Sequence, residues 1–474
     1  MIILGTNSIK DTGYDVANSC RFNEASADSL HRATGETTGA TNWTLSTWIK
    51  RSTLGSLDNG GTFLGWYTST SKRSIFAFND NDQLYWWSNS GSAQGDCYTT
   101  AVFRDVSAWY HVVLKIDTTQ SSQSDRVKIY VNNVEQSLTF GSSYPTQNEA
   151  NTGVYGSQYI GASYYNTGTD RHFGGYLAET VMIDDASLNP DQFGEFDEDS
   201  PTIWKPKDVS GLTFGSDGFY LDYEDSSALG NDAAGSNNLT VSNLTAIDQS
   251  TDTCTLNYAT INPLNVPTSN QPTFSEGNLK TVSSSSASGA FGGSTTFGVS
   301  QGKWYVEAKA TVGSTYSRNS IGVTYNPGEM ARSNADTQIS NTSYAWGWDS
   351  SGGDVYHDAS IVASYATYAT GDICQIFLDL DNHKLYFGKN GTLQSSTGIS
   401  LDTGETYFIV QTDRTGSSEV STFEFNFGAG TTFSISSGNT DGEYGNFEYS
   451  TTITGDGASK TFKALNSKNL AEYG

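Results

Sequence analysis

Apolar and polar residues alternate with a period of two in short runs along most of this chain. In WTLSTWIKR (43–51), Trp43, Leu45, Thr47 and Ile49 share one parity, and Thr44, Ser46, Trp48 and Lys50 share the other. Successive side chains of a strand point to opposite faces. Apolar residues on both parities therefore predict a strand inside a two-sheet sandwich. RVKIYVN (126–132) sets Val127, Ile129 and Val131 against Arg126, Lys128 and Tyr130, the pattern of a half-exposed strand. Asn132-Asn133 behind it predicts a tight turn, because Asn tolerates left-handed backbone. Further runs at 19–23, 61–68, 74–79, 83–88, 109–117, 158–164 and 176–184 extend the series to about residue 200. A second series begins with GKWYVEAKATV (302–312) and continues through DICQIFLDLDNHKLYFGKNG (372–391) to STFEFNFG (421–428). Between the two series the rhythm stops. Residues 201–275 are rich in Asn, Asp, Gly and Ser, with only FYLDY (219–223) and NLTVSNL (238–244) as short apolar segments. The pattern predicts an all-β chain with domains over 1–200 and 276–474, joined by an extended, irregular bridge over 201–275.

Composition supports strands over helices. Hydrophobic residues are only 36% of the chain, but aromatics are 13%, and each aromatic buries a large apolar area. Three Met and 49 Gly fit many strands joined by tight turns. At 474 residues the chain exceeds the size at which one core usually stops growing, which favours two or more domains.

Charge narrows the partners. The formal net charge of -26, with no extended Lys/Arg cluster, argues against nucleic acid, whose phosphates require a positive field. No apolar run approaches 18 residues, so no membrane insertion is expected. The opening MIILGTNSIKDTG is too short and lacks the preceding basic residue of a secretory signal. The four cysteines at 20, 97, 254 and 374 are too dispersed for a compact metal site. Cys374 shares strand parity with Ile376 and Leu378 and reads as a small core hydrophobe.

Several residues are candidates for chemistry. Trp86 and Trp87 are adjacent, so a strand sends one to the core and the other toward solvent, where it could stack on a sugar or a partner. Trp346 and Trp348 share parity with Tyr344 as an aromatic layer, and Trp348 is a candidate ligand platform. EFDED (195–199) places Glu195 and Asp197 at a spacing like the paired carboxylates of glycoside hydrolysis. Its position after the last predicted strand favours an acidic linker. His111 has no second His or acid pair near it in sequence and reads as a structural histidine. Asp379 and Asp381 flank a predicted hairpin turn and read as turn caps. DSSALGNDAAGSNN (225–238) could offer oxygen ligands to Ca2+ but lacks the EF-hand spacing, and Asx turns account for it equally well. The loops 89–99, 118–125 and 142–156 are expected places for recognition.

SCRFN (19–23), SLHRAT (29–34), NWTLSTWIK (42–50), WYHVVLKID (109–117), VKIYVNNVE (127–135) and GYLAETVMID (175–184) together resemble the LamG-like, concanavalin A-like jelly-roll family. The resemblance implies a jelly-roll β-sandwich that binds glycans, often with calcium, or serves as a scaffold; some relatives are glycoside hydrolases. Lys303-Trp304-Tyr305, Glu307, Ile321-Gly322, Phe377-Leu378-Asp379, Leu385-Tyr386-Phe387, Asn390-Gly391 and Phe425-Asn426-Phe427-Gly428 resemble SPRY-like domains. These imply a second jelly-roll sandwich that binds protein segments through its loops. The segment from Gly218 to Asn265, with the closing FKALNSKNLAEYG (462–474), resembles structural proteins of marine tailed phages. That resemblance implies a virion component of the tail, fibre or appendage type, made in the host cytoplasm. Its expected partners are other virion proteins, further copies of itself and a host surface glycan.

No HExxH, Walker A, GxSxG or dinucleotide fingerprint occurs. The expectation is thus a non-enzymatic virion protein needing no cofactor, with Ca2+ admitted by the resemblance. A purely architectural adaptor and a glycan-degrading enzyme are the alternatives.

Overall fold

A computed structural model describes residues 13–33, 40–55, 57, 61–91, 94–141, 143–150, 156–165, 168–267, 271–282, 290–311, 318–330, 339, 342–414 and 421–474. The apolar start of the chain over 1–12 and parts of the expected recognition loops (92–93, 142 and 151–155) lie outside these. The described residues are mostly β and divide into two compact units, one running to Asn257 and the other from Tyr258.

The first unit contains two antiparallel sheets. In the first sheet the strands run, in spatial order, Val134–Glu135, Val127–Val131, Trp109–Asp117, Asn42–Arg51, Gly175–Asp184, Ser19–Phe22 and Gln249–Ser250. The second runs Leu138–Phe140, Gln94–Thr99, Leu84–Asn89, Lys72–Phe78, Thr62–Ser69, Ser157–Ile160, Ser29–Ala33 and Thr240–Ser242. Their facing sides share one apolar core, with Trp43, Leu45 and Ile49 from the first sheet and Trp66, Phe76 and Trp86 from the second. The alternation of the sequence is obeyed closely: Val127, Ile129 and Val131 are buried while Lys128 and Tyr130 are partly exposed. The expected turn at Asn132-Asn133 has both residues at positive φ, 48° and 66°.

The segment 201–257 is not an extended bridge. Phe219–Leu221 pairs with Gly175–Asp184, Gln249–Ser250 with Ser19–Phe22, and Thr240–Ser242 with Ser29–Ala33. These short pieces satisfy their backbone groups on strands far earlier in the chain, a partnership that leaves no local period. The same segment buries the outer side of the first sheet. Trp204 and Cys254 pack with Trp48, Trp109 and Tyr176, while Val209 and Tyr220 pack with Val113 and Val181. This third layer explains why the Asn42–Arg51 strand is apolar on both parities.

Buried ion pairs fasten the layer. Lys50, 1% exposed, pairs with Asp252 at 2.7 Å and with the Asn257 side chain at 2.8 Å, and Trp109 Nε1 donates to Asp252 at 3.1 Å. Arg21 pairs with Asp248 at 3.1 Å. EFDED, expected as a linker, is half of a hairpin: Gly194–Phe196 pairs with Trp204–Pro206.

The second unit also has two antiparallel-dominated sheets. One is built around Thr422–Asn426, Lys303–Thr311, Ile373–Asp379 and Lys384–Lys389. The other runs Ala290–Ser294, Phe408–Arg414, Arg318–Thr324, Ala345–Asp349, Asp354–His357 and Ser360–Ser364. Trp348 and Phe387, whose ring centroids lie 5.6 Å apart, join the two across the core. The tail packs back on its own unit. Lys463–Ala464 pairs in parallel with Lys303–Thr311, and Phe462 meets Phe377. Glu307 is fully buried and accepts from Glu448 N, Tyr449 N, Tyr305 Oη and Asn426 Nδ2, so its carboxylate ties the 446–449 turn to the sheet. The chain closes on a short helix, Ser467–Tyr473, a departure from all-β; the Asn466 side chain caps it by accepting from Asn469 N at 2.9 Å.

Candidate functional site

The outer side of the second sheet of the first unit is lined with aromatic residues. In Leu84–Asn89, Leu84, Trp86 and Ser88 are buried, whereas Tyr85, Trp87 and Asn89 are only partly so. Trp87 is in register with Ile75, Ile75 with Gly65, Gly65 with Tyr159, and Tyr159 with His31, so one row crosses five strands. A hairpin, Ser163–Tyr165 with Gly168–Asp170, lies over the row at Gly65. Any side chain at Gly65 would come within 2.7 Å of Ala162 O and 3.0 Å of Ser163 Cα, so glycine is required for this close approach. The hairpin brings Tyr164 between Tyr67 and Tyr159, at centroid distances of 4.5 Å and 5.3 Å. It also brings Tyr165 to Arg73. The Arg73 guanidinium lies 4.9 Å from the Trp87 ring and 4.2 Å from the Tyr165 ring. Burial first, and then the neighbouring Arg171, hold Arg73 below the usual arginine range.

Trp87 stands apart from the other tryptophans. The chain has ten, and nine of them are 2% exposed or less. The expected separation of Trp86 from Trp87 is what the strand produces. Trp86 fills the core, however, and cannot serve as a ligand platform while the unit is folded. Trp348 is corrected in the same way: it is fully buried against Tyr368 and Phe387, because the parity of its strand points it between the sheets. Arg73, Tyr85, Tyr67, Tyr164 and Tyr165 were not singled out from sequence. The parity of Tyr85 and Trp87 in LYWWSN was the available signal; the hairpin contribution had none.

Of the candidate catalytic groups, His111 and Asp197 are occupied structurally, while Glu195 is exposed and lies 3.7 Å from Lys205. His111 is buried between Trp48 and Trp204. Trp204 Nε1 donates to His111 Nδ1 at 2.9 Å, so Nε2 carries the ring proton and donates to Ser46 Oγ at 2.8 Å. That tautomer cannot take a proton from Ser46, and burial holds the imidazole neutral with its pKa lowered to about 3. Asp197 accepts from Ser200 N and Asp199 N and meets Lys205, and the Ser200 bond above all keeps its carboxylate below the usual range. Asp379 accepts from Asn382 and pairs with Lys460 at 2.7 Å, as a turn cap should.

A different carboxylate is perturbed. Glu179 sits in a β-bulge at φ 49°, accepts from Tyr220 Oη at 2.9 Å and from Tyr14 Oη at 3.3 Å, and burial raises its pKa to about 7.

In the stretch weighed for calcium, Asp232 is taken up by Tyr220 N, Ala234 N and Asn237 N. Among the described residues no group of three or more His, Cys, Asp or Glu is placed to hold a metal, and no helix is long and apolar enough to cross a membrane. All four cysteines are buried thiols.

The second unit carries a groove of about 560 Å3, lined by Trp346, His357, Val362, Tyr365, Gly398 and Leu401 among others. The His357 ring stacks on Trp346 at 4.0 Å, and its Nδ1 lies 3.0 Å from Ala345 O. Ile361 and Val362 on the neighbouring edge strand are 55% and 43% exposed.

Comparisons with known proteins follow this division. Residues 25–192 match the concanavalin A-like lectin/glucanases superfamily, and residues 303–423 match the SPRY domain. No match is found among curated proteins. Solved structures with similarity include the SPRY domain of human HERC1, at 16% identity over 37% of this chain and 99% of that one, TM-score 0.30. A candidate carbohydrate-binding protein from Bacteroides ovatus ATCC 8483 is 20% identical over 48% of this chain and 58% of that one, TM-score 0.32. The heptameric SAP-like pentraxin of Limulus polyphemus is 15% identical over 38% of this chain and 81% of that one, TM-score 0.28. The chain thus carries an N-terminal lectin-like domain and a C-terminal SPRY-like domain.

Proposed function

We propose that this chain is a non-catalytic virion component of a tailed phage that recognises a host surface glycan through the outer aromatic face of its lectin-like domain. The observation that carries the glycan reading is Trp87. It is the one tryptophan of ten that is not buried, and it lies on a face with Tyr85, Tyr67 and Tyr165. Sugar rings present C–H faces that pack on aromatic rings, and an aromatic body with a polar tip suits a wet recognition surface. The match of residues 25–192 to lectins and glucanases supports the same ligand class. Against a glucanase, Asp197 and His111 are committed to turn capping and to layer packing. The virion assignment rests on the resemblance of the 218–265 segment and the closing residues to phage structural proteins. Repeated copies in a particle would add avidity to weak single sites.

The test is a glycan array probed with the full chain and with Trp87→Ala, together with a reducing-end assay on every glycan bound. Binding by the full chain, lost in Trp87→Ala and without product release, is expected. Release of reducing ends would overturn the non-catalytic reading, and binding indifferent to Trp87 would overturn the site.

The groove beside Ile361 and Val362 favours a second reading, an adaptor that binds another virion protein through its SPRY-like domain. Val362→Asp would then remove the chain from assembled particles, while Trp87→Ala would leave it in place.

A further inference from the structure

We infer that the aromatic face selects an acidic saccharide, with Arg73 binding a carboxylate or sulfate group of a sugar whose ring stacks beside it on Trp87. This inference rests on the glycan reading and names its chemical class. Three observations carry it. Arg73 is held between the Trp87 and Tyr165 rings, which fixes a planar guanidinium in place before any ligand arrives. Its Nε is buried and has no hydrogen-bond partner among the described residues. A second cation, Arg171, acts on Arg73 together with its burial to lower its pKa, opposed by Tyr165, Asp170 and Tyr67.

An unsatisfied donor beside stacking rings is costly unless a ligand completes it. Arginine has several N–H donors in a fixed fork that matches carboxylate and sulfate oxygens, whereas a neutral sugar hydroxyl offers no charge. Two acidic groups lie near the face. Asp170 accepts from Ser163 Oγ within its own hairpin, and Asp96, in register with Trp87, stands on the same face one strand beyond it from Arg73. The net charge of the whole chain is -26, so attraction to an anion must come from this local arrangement and not from the global field.

The experiment is a titration of the full chain, followed by tryptophan fluorescence, with three tetrasaccharides: an α-1,4-galacturonate, its carboxyl-reduced galactose counterpart, and a sulfated carrageenan. At least one anionic ligand should bind about tenfold or more tightly than the neutral one. The preference should disappear in Arg73→Gln and weaken with salt. Preference for galacturonate identifies a carboxylate, and preference for carrageenan identifies a sulfate ester. Arg73→Lys, which keeps the charge and loses the fork, should retain part of the preference and serves if Arg73→Gln does not fold. Equal binding of neutral and anionic ligands, abolished by Trp87→Ala, would overturn the inference and leave the glycan reading standing. Binding of none of the three would count against both. A polyglutamate that competes as well as the acidic sugars would show charge attraction without saccharide selection and would also overturn the inference.

Discussion

The two outer faces of the lectin-like domain began with the same kind of residue and ended in opposite states. Trp48 and Tyr176 on one sheet, and Trp87 and Tyr85 on the other, all lie on strands whose opposite parity fills the shared core. The first pair is sealed beneath the 201–257 segment, through Trp204 and Cys254. There Trp204 supplies a hydrogen bond to His111, and Asp252 supplies a counter-charge to Lys50. The second pair stays partly open and, among the described residues, is crossed by a short hairpin. An aromatic outward parity therefore does not distinguish a binding surface from an interlayer contact. What distinguishes them is whether another part of the chain brings the apolar area and the polar partners needed to cover it.

The largest expected effects come from opening the covered face. Asp252→Ala removes the counter-charge of the buried Lys50 ammonium and the acceptor of the Trp109 N–H, and should cost about 3–5 kcal/mol in urea unfolding. A loss under about 1 kcal/mol would mean that water reaches Lys50 and that the layer is loose. Trp48→Ala should cost about 3–5 kcal/mol, as for a buried aromatic, whereas Trp87→Ala should cost about 1 kcal/mol or less. Equal losses at the two positions would erase the contrast between the faces.

A pH prediction sharpens the same comparison, because both of its groups lie under the covering layer. Glu179, with a folded pKa of about 7, binds its proton more tightly in the native state. The stability it contributes is complete below about pH 4.5 and is lost as pH rises through 7, amounting to about 3 kcal/mol. His111, lowered to about 3, acts in the opposite sense: its contribution is present above pH 6.5 and falls with acid. Between pH 6.5 and 4.5 the two nearly offset. Glu179→Gln should remove one of them, so that its stability relative to the parent chain falls by about 2–3 kcal/mol across that interval. Parallel pH profiles for the two proteins would show that Glu179 is solvated. The smallest effect is expected at the exposed edge of the SPRY-like domain, where Val362→Asp should change stability by less than about 0.5 kcal/mol.

Local pattern was sufficient for the strands. Period-two alternation located Val127–Val131 and Asn42–Arg51, and Asn132-Asn133 marked its turn correctly. It was insufficient for residues 201–257, whose strands are two or three residues long and whose partners are remote. Trp204 meets His111 across 93 positions, and Asp252 meets Lys50 across 202. The candidate site was half legible for the same reason. Parity alone sent Trp86 and Trp87 to opposite faces, without saying which of the two was the outer one. Arg73 and Tyr165 join Trp87 only through a neighbouring strand and a hairpin that glycine allows to cross at Gly65. Trp348 failed as a ligand platform because parity gives the face of a residue but not which face is inside.

The most direct measurement of the open face is oxidative footprinting of tryptophan in the native full chain, with and without a glycan that binds it. Trp87 should be modified first, while Trp48, Trp86, Trp204 and Trp348 remain protected, and bound glycan should protect Trp87 selectively. Modification of Trp48 or Trp204 as fast as Trp87, or glycan binding that leaves Trp87 as reactive as before, would contradict the account.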